Sequence, residues 1–386
     1  AQLTPTEGDG AAASLSWRRL SPGELVVIRL GAIVRGATMP PSVAPGPMAP
    51  KASEDLPAPV PRPRMHTLPP TRAERRLSTR RSPSRLSIVH RTSYRYTTPV
   101  ERSTHLLRLF PVHDRLQTLL SSDVNVSVDG RAHDFDDAFG NRARRVVLDT
   151  PYRELTITAR SEVEALDADP LGFDVRHTRS VIPLVWMPWQ KTMLQPYLQV
   201  PELAESELGE LVEYAMRFVA RNDGDVLDTL LDLNDAIHRE YTYVKGSTTL
   251  ATTAFDVYSR RRGVCQDFTN LFICLARLMG VPARYVCGYL FTGPKHENRA
   301  QAEASHAWVQ VYLPEVGWRG LDPTNGVVTS TDHVRLAIGC TYRDATPTSG
   351  TIYVGGGGET LEVDVRVDNV ETAEKLARGD ATRGDC

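Results

Sequence analysis

Three residues with complementary chemistry stand far apart in the chain: Cys265, His306 and Asp322. A thiol can attack a carbonyl, an imidazole can hold the proton the thiol gives up, and a carboxylate can fix the imidazole's tautomer. The cysteine opens a patterned stretch. Phe268, Leu271, Phe272, Leu275, Leu278 and Met279 recur at helical spacing, which gives an apolar stripe. Gly280 followed by Val281-Pro282 stops that helix, and Gly263 breaks whatever precedes it. Cys265 therefore falls in the first turn, where unpaired backbone N–H groups and the positive end of the macrodipole favour an anion such as a thiolate. A free cysteine is most often a small buried apolar residue, so the helix alone does not make Cys265 a nucleophile.

The elements downstream supply the rest. Ala283–Leu290 reads as a buried strand and 291–304 as a polar surface loop. From Ser305 to Leu313, Ala307, Val309, Val311 and Leu313 alternate with His306, Trp308, Gln310 and Tyr312, the period of a strand. A turn at Pro314–Gly317 leads to a second strand, Trp318 to Asp322. With a turn of a few residues centred on 314–316, His306 lies opposite a residue in 322–324, which makes Asp322 its direct or diagonal neighbour on the same face. Such pairs have Cβ atoms about 4.5–8 Å apart, within reach of a carboxylate–imidazole hydrogen bond.

Gly263-Val-Cys265-Gln-Asp-Phe, Ser305-His306-Ala-Trp and Leu321-Asp322-Pro-Thr-Asn-Gly resemble the three motifs of the transglutaminase-like superfamily, in its order and with separations of 41 and 16 residues. More narrowly, the chain is similar to bacterial transglutaminase-like proteins that carry a β-rich domain before the core, over roughly residues 86–368. The resemblance implies an α+β fold: a papain-like core, with the cysteine helix packed on an antiparallel sheet, preceded here by a β-sandwich domain. It maps Cys265 to the nucleophile, His306 to the base and Asp322 to the group that orients the base. The family spans transglutaminases, peptidases, other amidases and members without catalysis, so the implied function is cysteine-dependent acyl transfer on an amide through a thioester. Hydrolysis is the first expectation, protein-glutamine cross-linking the alternative, and a non-catalytic scaffold the competing reading. The oxyanion is expected to meet the Cys265 N–H and one more donor, with Gln266, Tyr243 and Trp308 as candidates. No cofactor or metal is expected; the calcium sites of animal transglutaminases have no counterpart. The expected partner is a peptide or protein substrate.

The remaining chain divides by composition. Residues 1–85 hold 14 of the 27 prolines, and 62–85 carry eight arginines against one glutamate, so this segment is expected to be a disordered tail. Alternating strands bounded by Asp129-Gly130 and Phe139-Gly140-Asn141 suggest a β-sandwich over 86–166, with no candidate site; His90, His105, His113 and His133 look scattered. Asp134, Asp136 and Asp137 lack the spacing of a calcium loop. Residues 167–370 are expected to hold a connector, the core and its closing strands, and 371–386 a polar tail. Two helices are expected before the cysteine helix: one with a stripe of Leu208, Leu211, Val212, Ala215, Met216 and Val219, the next with Val226, Leu230, Leu233 and Ile237. His238 and Glu240 do not share a helix face and make no metal pair. Arg260–Arg262 are expected to face solvent, and His333 to be a strand or loop residue and not a base. Gly355–Gly358 precede a strand with no Lys-Ser/Thr after them, which fits a hairpin turn and not a phosphate loop.

A formal net charge of −2 argues against a nucleic-acid partner. Five cysteines without a CxxC pair point to a reducing compartment and away from a disulfide framework or a zinc site. No stretch reaches the ~20 apolar residues of a membrane span. Leu25–Val34 is interrupted by Arg29 and follows no basic region, so it is not read as a signal peptide, and the expected compartment is the cytoplasm. Oligomeric state is not written in these patterns.

Overall fold

The computed structural model describes residues 2–4, 16–18, 24–29, 32–38, 82–172, 180–293 and 305–370. The first four stretches form a separate unit of two hairpins: β1 (Gln2–Thr4) with β2 (Ser16–Arg18), and β3 (Glu24–Arg29) with β4 (Ala32–Thr38). These strands are four short stretches within the segment expected to be largely disordered. Val26, Val27 and Ile28, then Ile33 and Val34, are β-branched and no proline lies between 24 and 38, which favours strands there. The rest of that tail up to residue 81, and the polar tail at 371–386, lie outside the described residues.

In the second unit β5 (Ser84–Leu107) is the spine of an antiparallel sheet. β6 (Gln117–Val126), β7 (Arg131–Asp136), β8 (Arg142–Leu148) and β9 (Tyr152–Ala165) extend it in the order β6-β9-β5-β8-β7. The pairing of β5 with β9 shifts register between Arg95 and Val100. The two halves of the spine meet across the bend, with the Tyr94 ring 6.4 Å from His105. The expected sandwich is therefore one sheet bent on itself around a shared strand.

The core follows. α1 (Pro188–Leu198), α2 (Glu205–Arg221) and α3 (Val226–Glu240) lead through β10 (Thr242–Tyr243), α4 (Ala254–Arg260) and β11 (Arg262–Gly263) to α5 (Cys265–Leu278). β12 (Ala283–Leu290), β13 (His306–Leu313), β14 (Gly317–Asp322), β15 (Val327–Val328) and β16 (His333–Gly339) make an antiparallel sheet ordered β15-β14-β13-β12-β16. α5 is covered almost all round, not along one stripe: Ile273, Cys274, Ala276 and Arg277 are buried with the expected Phe268, Leu271, Phe272 and Leu275. Helices α2–α4 and the sheet share its surface. Burying each large apolar side chain is worth about 1.5–3 kcal/mol, so the helix that carries Cys265 is firmly seated. On α2 the buried face holds Tyr214 and Phe218, while Val212 and Met216 point outward. The correction has a simple cause: the two aromatic rings stack edge to face at 5.1 Å and bury more area than the aliphatic pair would. Arg261, expected in solvent, lies over the rings of Tyr214, Tyr241 and Tyr258 at 4.7–4.9 Å.

After α6 (Tyr342–Ala345) the chain leaves the core sheet. β17 (Thr348–Gly355) and β18 (Glu359–Asn369) pair with β5, so the strands expected to close the core complete the N-terminal sheet instead. That sheet also protects the open edge of β16. The Asn141 side chain donates to Ile338 C=O (2.7 Å) and accepts from Ile338 N–H (2.8 Å). Gln117 does the same for Arg335, at 2.9 and 2.8 Å. Two amide side chains thus stand in for a neighbouring strand. Asn141→Leu leaves a buried N–H and C=O without partners, and is expected to lower unfolding free energy by about 2–4 kcal/mol in urea denaturation; a loss below about 0.5 kcal/mol would show that the edge is not held this way.

Candidate active site

Cys265 is the first residue of α5 and is half-buried. Val264 before it is extended, with φ −117° and ψ −179°. The Asp267 carboxylate reaches back to accept from Val264 N–H (2.7 Å) and also accepts from the Thr248 hydroxyl (2.7 Å). It fits because residue 263 is glycine: a Cβ there would lie 2.7 Å from Asp267 Cβ. β10 pairs in parallel with β11, and Val244 N–H donates to Gly263 C=O (2.9 Å). The start of the helix is held from both sides while its first N–H groups stay at the mouth of the site.

His306 opens β13 and Asp322 ends β14. Val309 pairs with Leu321, so one step on Trp308 faces Asp322 and His306 is its diagonal neighbour. His306 Nε2 donates to Asp322 Oδ2 at 2.8 Å, and both side chains are buried. Nε2 is thereby taken up by the carboxylate, and Cys265 lies close enough for its charge to act on the His306 ring. The three residues singled out by type and spacing are thus brought together. Burial is the largest single influence on His306 and lowers its pKa. The charge and hydrogen bond of Asp322, then the nearby Cys265, outweigh it and hold the imidazole well above its ordinary value. Burial would raise Asp322, but the charge and hydrogen bond of His306, with those of His333, keep it ionised well below the usual carboxylate range.

Several residues around Asp322 were not legible in the sequence. Oδ2 also accepts from Asn325 Nδ2 (2.7 Å) and His333 Nε2 (3.3 Å), and Oδ1 from the N–H groups of Thr324 (3.0 Å) and Asn325 (3.2 Å). His333 is a strand residue as expected, but it is buried against the triad carboxylate, its Nδ1 accepting from Ser330 N–H (3.4 Å). α3 holds the same turn from behind. His238 Nδ1 donates to Thr324 C=O (2.8 Å), and Asn234, one turn earlier, accepts from Val327 N–H (3.2 Å) and donates to Asp322 C=O (3.3 Å). The i, i+4 spacing of Asn234 and His238 was the available signal.

Of the three oxyanion candidates, Trp308 has its ring 6.0 Å from that of His306. Its indole is fully buried edge-on against His333 (5.3 Å), in the space Gly288 leaves by lacking a side chain. Tyr243 lies near Cys265; burial first, then the charges of Cys265 and Asp267, raise its pKa, so its hydroxyl stays a donor. Gln266 is partly exposed in the first turn of α5.

A raised His306 is charged on the acid side of its elevated value and neutralises only as pH rises through it; the stability this adds is complete below 6.5 and lost as pH rises through the folded value. Imidazole nitrogen NMR is expected to show His306 with both ring protons at pH 7.5. His90, which burial pulls down to about 4 against the opposing charge of Asp364, should be neutral there. A His306 signal titrating below 6.5 would contradict the ion-pair geometry.

Comparison with known proteins bears on the family and the fold. A family model described as the bacterial transglutaminase-like N-terminal region matches residues 86–164, and one described as the transglutaminase-like superfamily matches residues 213–323. An uncharacterized protein of Mycobacterium leprae is 29% identical over 294 residues, 73% of this chain and 98% of the relative. One from Mycobacterium tuberculosis H37Rv is 30% identical over 297 residues, 73% of this chain and 92% of the relative. A crystal structure from Cytophaga hutchinsonii, provisionally titled a cysteine protease, shares the fold with a TM-score of 0.60 at 21% identity, covering 75% of this chain and 91% of that one. The chain belongs to the transglutaminase-like superfamily, in its bacterial form with a transglutaminase-like N-terminal region ahead of the core.

Proposed function

We propose that the protein is a cysteine-dependent acyl-transfer enzyme acting on amides of peptides or proteins, with hydrolysis as its main outcome. The observation that carries this reading is His306, hydrogen-bonded to the buried Asp322 and close enough to Cys265, at a helix start, to feel its charge. His306 holds the proton that the Cys265 thiol gives up, and the sulfur attacks the amide carbonyl carbon. A C–S bond forms and the carbonyl π pair moves onto oxygen. The oxyanion is received by the Cys265 N–H and a second donor, for which Tyr243 is the first choice and Gln266 the next. As the C–N bond breaks, His306 gives its proton to the leaving amine and a thioester remains. Water then attacks the thioester, His306 takes its proton, and the acid leaves with the sulfur restored.

An amine in place of water gives transamidation by the same steps. The non-catalytic alternative is disfavoured by the intact arrangement of sulfur, imidazole and carboxylate. The four described cysteines are all free thiols, which favours a reducing compartment such as the cytoplasm. Among the described residues no helix is long and apolar enough to cross a membrane.

Iodoacetamide at neutral pH is expected to label Cys265 selectively, and His306→Ala to abolish that selectivity. Slow labelling of Cys265 and Cys340 at equal rates would remove the nucleophile assignment. Casein with and without a fluorescent amine separates cleavage from cross-linking. In that assay Asp322→Asn is expected to fold but to lose about 10³-fold or more in turnover, through the wrong imidazole tautomer. Tyr243→Phe should cost about 10²-fold if its hydroxyl meets the oxyanion, and a near-normal rate would pass that role to Gln266.

A further inference from the structure

Among the described donors to the Asp322 carboxylate, His333 stands apart. His306, Thr324 and Asn325 belong to the hairpin that carries Asp322 or to the turn after it. His333 opens β16, which lies beyond β13 and β12 from β14 in the sheet. Its bond to Oδ2 (3.3 Å) therefore ties Asp322 to a different part of the fold. A bulge brings it there. Cys287 pairs with Ala337, but Gly288 pairs with Arg335, so Leu336 has no counterpart on β12. In an unbroken strand 333, 335 and 337 would share one face. Ala337 faces the core shared with α5. The extra residue turns Arg335 and His333 to the other face, that of Gly288 and its direct partner His306.

The ring is locked once it arrives. Its Nδ1 accepts from Ser330 N–H (3.4 Å), so the ring hydrogen belongs on Nε2, the atom that meets Asp322. Trp308 packs edge-on against it at 5.3 Å. The cavity it borders measures about 10 Å³, space for no more than one water, so the imidazole has nowhere to swing. The bulge itself is held from the N-terminal sheet. Arg335 C=O accepts from Val112 N–H (3.0 Å) and Gln117 Nε2 (2.9 Å), and Arg335 N–H donates to Gln117 Oε1 (2.8 Å). The Arg335 guanidinium donates to both oxygens of Asp114, each at 2.6 Å.

We propose that His333 is a positioning residue: it holds the Asp322 carboxylate toward His306, and the N-terminal sheet holds His333 by fixing the bulge in β16. The proposal rests on the acyl-transfer reading above and adds a residue and a region to its machinery. His333 takes no proton in the reaction and works only through Asp322. Without its bond the carboxylate is tied to the hairpin and turn alone. Oδ2 can then turn from His306 Nε2, and the imidazole loses the partner that fixes its tautomer. The N-terminal sheet thereby becomes part of the site, although it lends no side chain to the three reacting groups.

Variants of the full chain test this, with turnover on casein and proton NMR read side by side. His333→Leu, which removes the donor, is expected to lower turnover about 10²-fold at unchanged KM. His333→Gln, whose amide can donate from the same place, should recover most of that loss. In an Asp322→Ala background His333→Leu should cost nothing further, because its only route is gone. Asp114→Ala, at a partly exposed side chain, should slow wild type but not His333→Leu. The proton on His306 Nε2 is expected far downfield in wild type and His333→Gln, and shifted upfield and broadened in His333→Leu. A folded His333→Leu with wild-type turnover and an unmoved His306 proton overturns the proposal. So does a further loss in the Asp322→Ala background, or a folded His333→Gln no better than His333→Leu. An unaffected Asp114→Ala overturns the part given to the N-terminal sheet. If His333→Leu does not fold, nitrogen NMR of wild type decides: hydrogen on Nε2 of His333 supports the assignment, and hydrogen on Nδ1 overturns it. A wild type with neither turnover nor selective Cys265 labelling would sink the acyl-transfer reading, while the His306 proton still reports on His333.

Discussion

The buried carboxylate of Asp322 sets the terms for the structure around it. An ionised carboxylate removed from water costs several kcal/mol unless donors replace its hydration. Here two imidazoles, one side-chain amide and two backbone N–H groups do so. Removing one donor does not merely lose a bond; it leaves charge poorly solvated in the interior. The hairpin of β13 and β14, the turn after it, the start of β16 and the buried face of α3 are all committed to this one group. That commitment holds His306 against the carboxylate and favours its charged form.

The cysteine helix and the hairpin are positioned by different means. α5 is seated by apolar burial on nearly every side, a non-directional force that fixes the axis but not the last ångström at its tip. Asp267, Thr248 and Gly263 supply that final definition through short polar contacts. The sheet, in contrast, has an open edge at β16. Asn141 and Gln117 cover it from the N-terminal sheet, whose own strands β17 and β18 come from beyond the core in sequence. The two regions are therefore interlaced: excision at the sequence boundaries of the core would strip the cover from β16 and take two of seven strands from the N-terminal sheet.

In the acyl-transfer proposal the same three side chains would serve hydrolysis and transamidation, because both pass through a thioester and differ in what attacks it. That choice belongs to the surroundings of the sulfur and not to the sulfur itself.

Local pattern carried a large part of this protein. The apolar period and stop signals around 265–280 define a helix with Cys265 at its start, and the alternation through 306–322 defines a hairpin whose register puts Asp322 diagonal to His306. These are short-range properties, settled by backbone hydrogen bonding and the period of burial. Long-range pairings were decided only in three dimensions. His333, Asn234 and His238 converge on Asp322 from separate elements, α2 turns its aromatic face inward, Trp308 sits behind the site, and β17 and β18 return to β5. Side-chain type and spacing say what a residue can bond, but which distant group meets it depends on how the layers pack, and that is a property of the whole chain's burial.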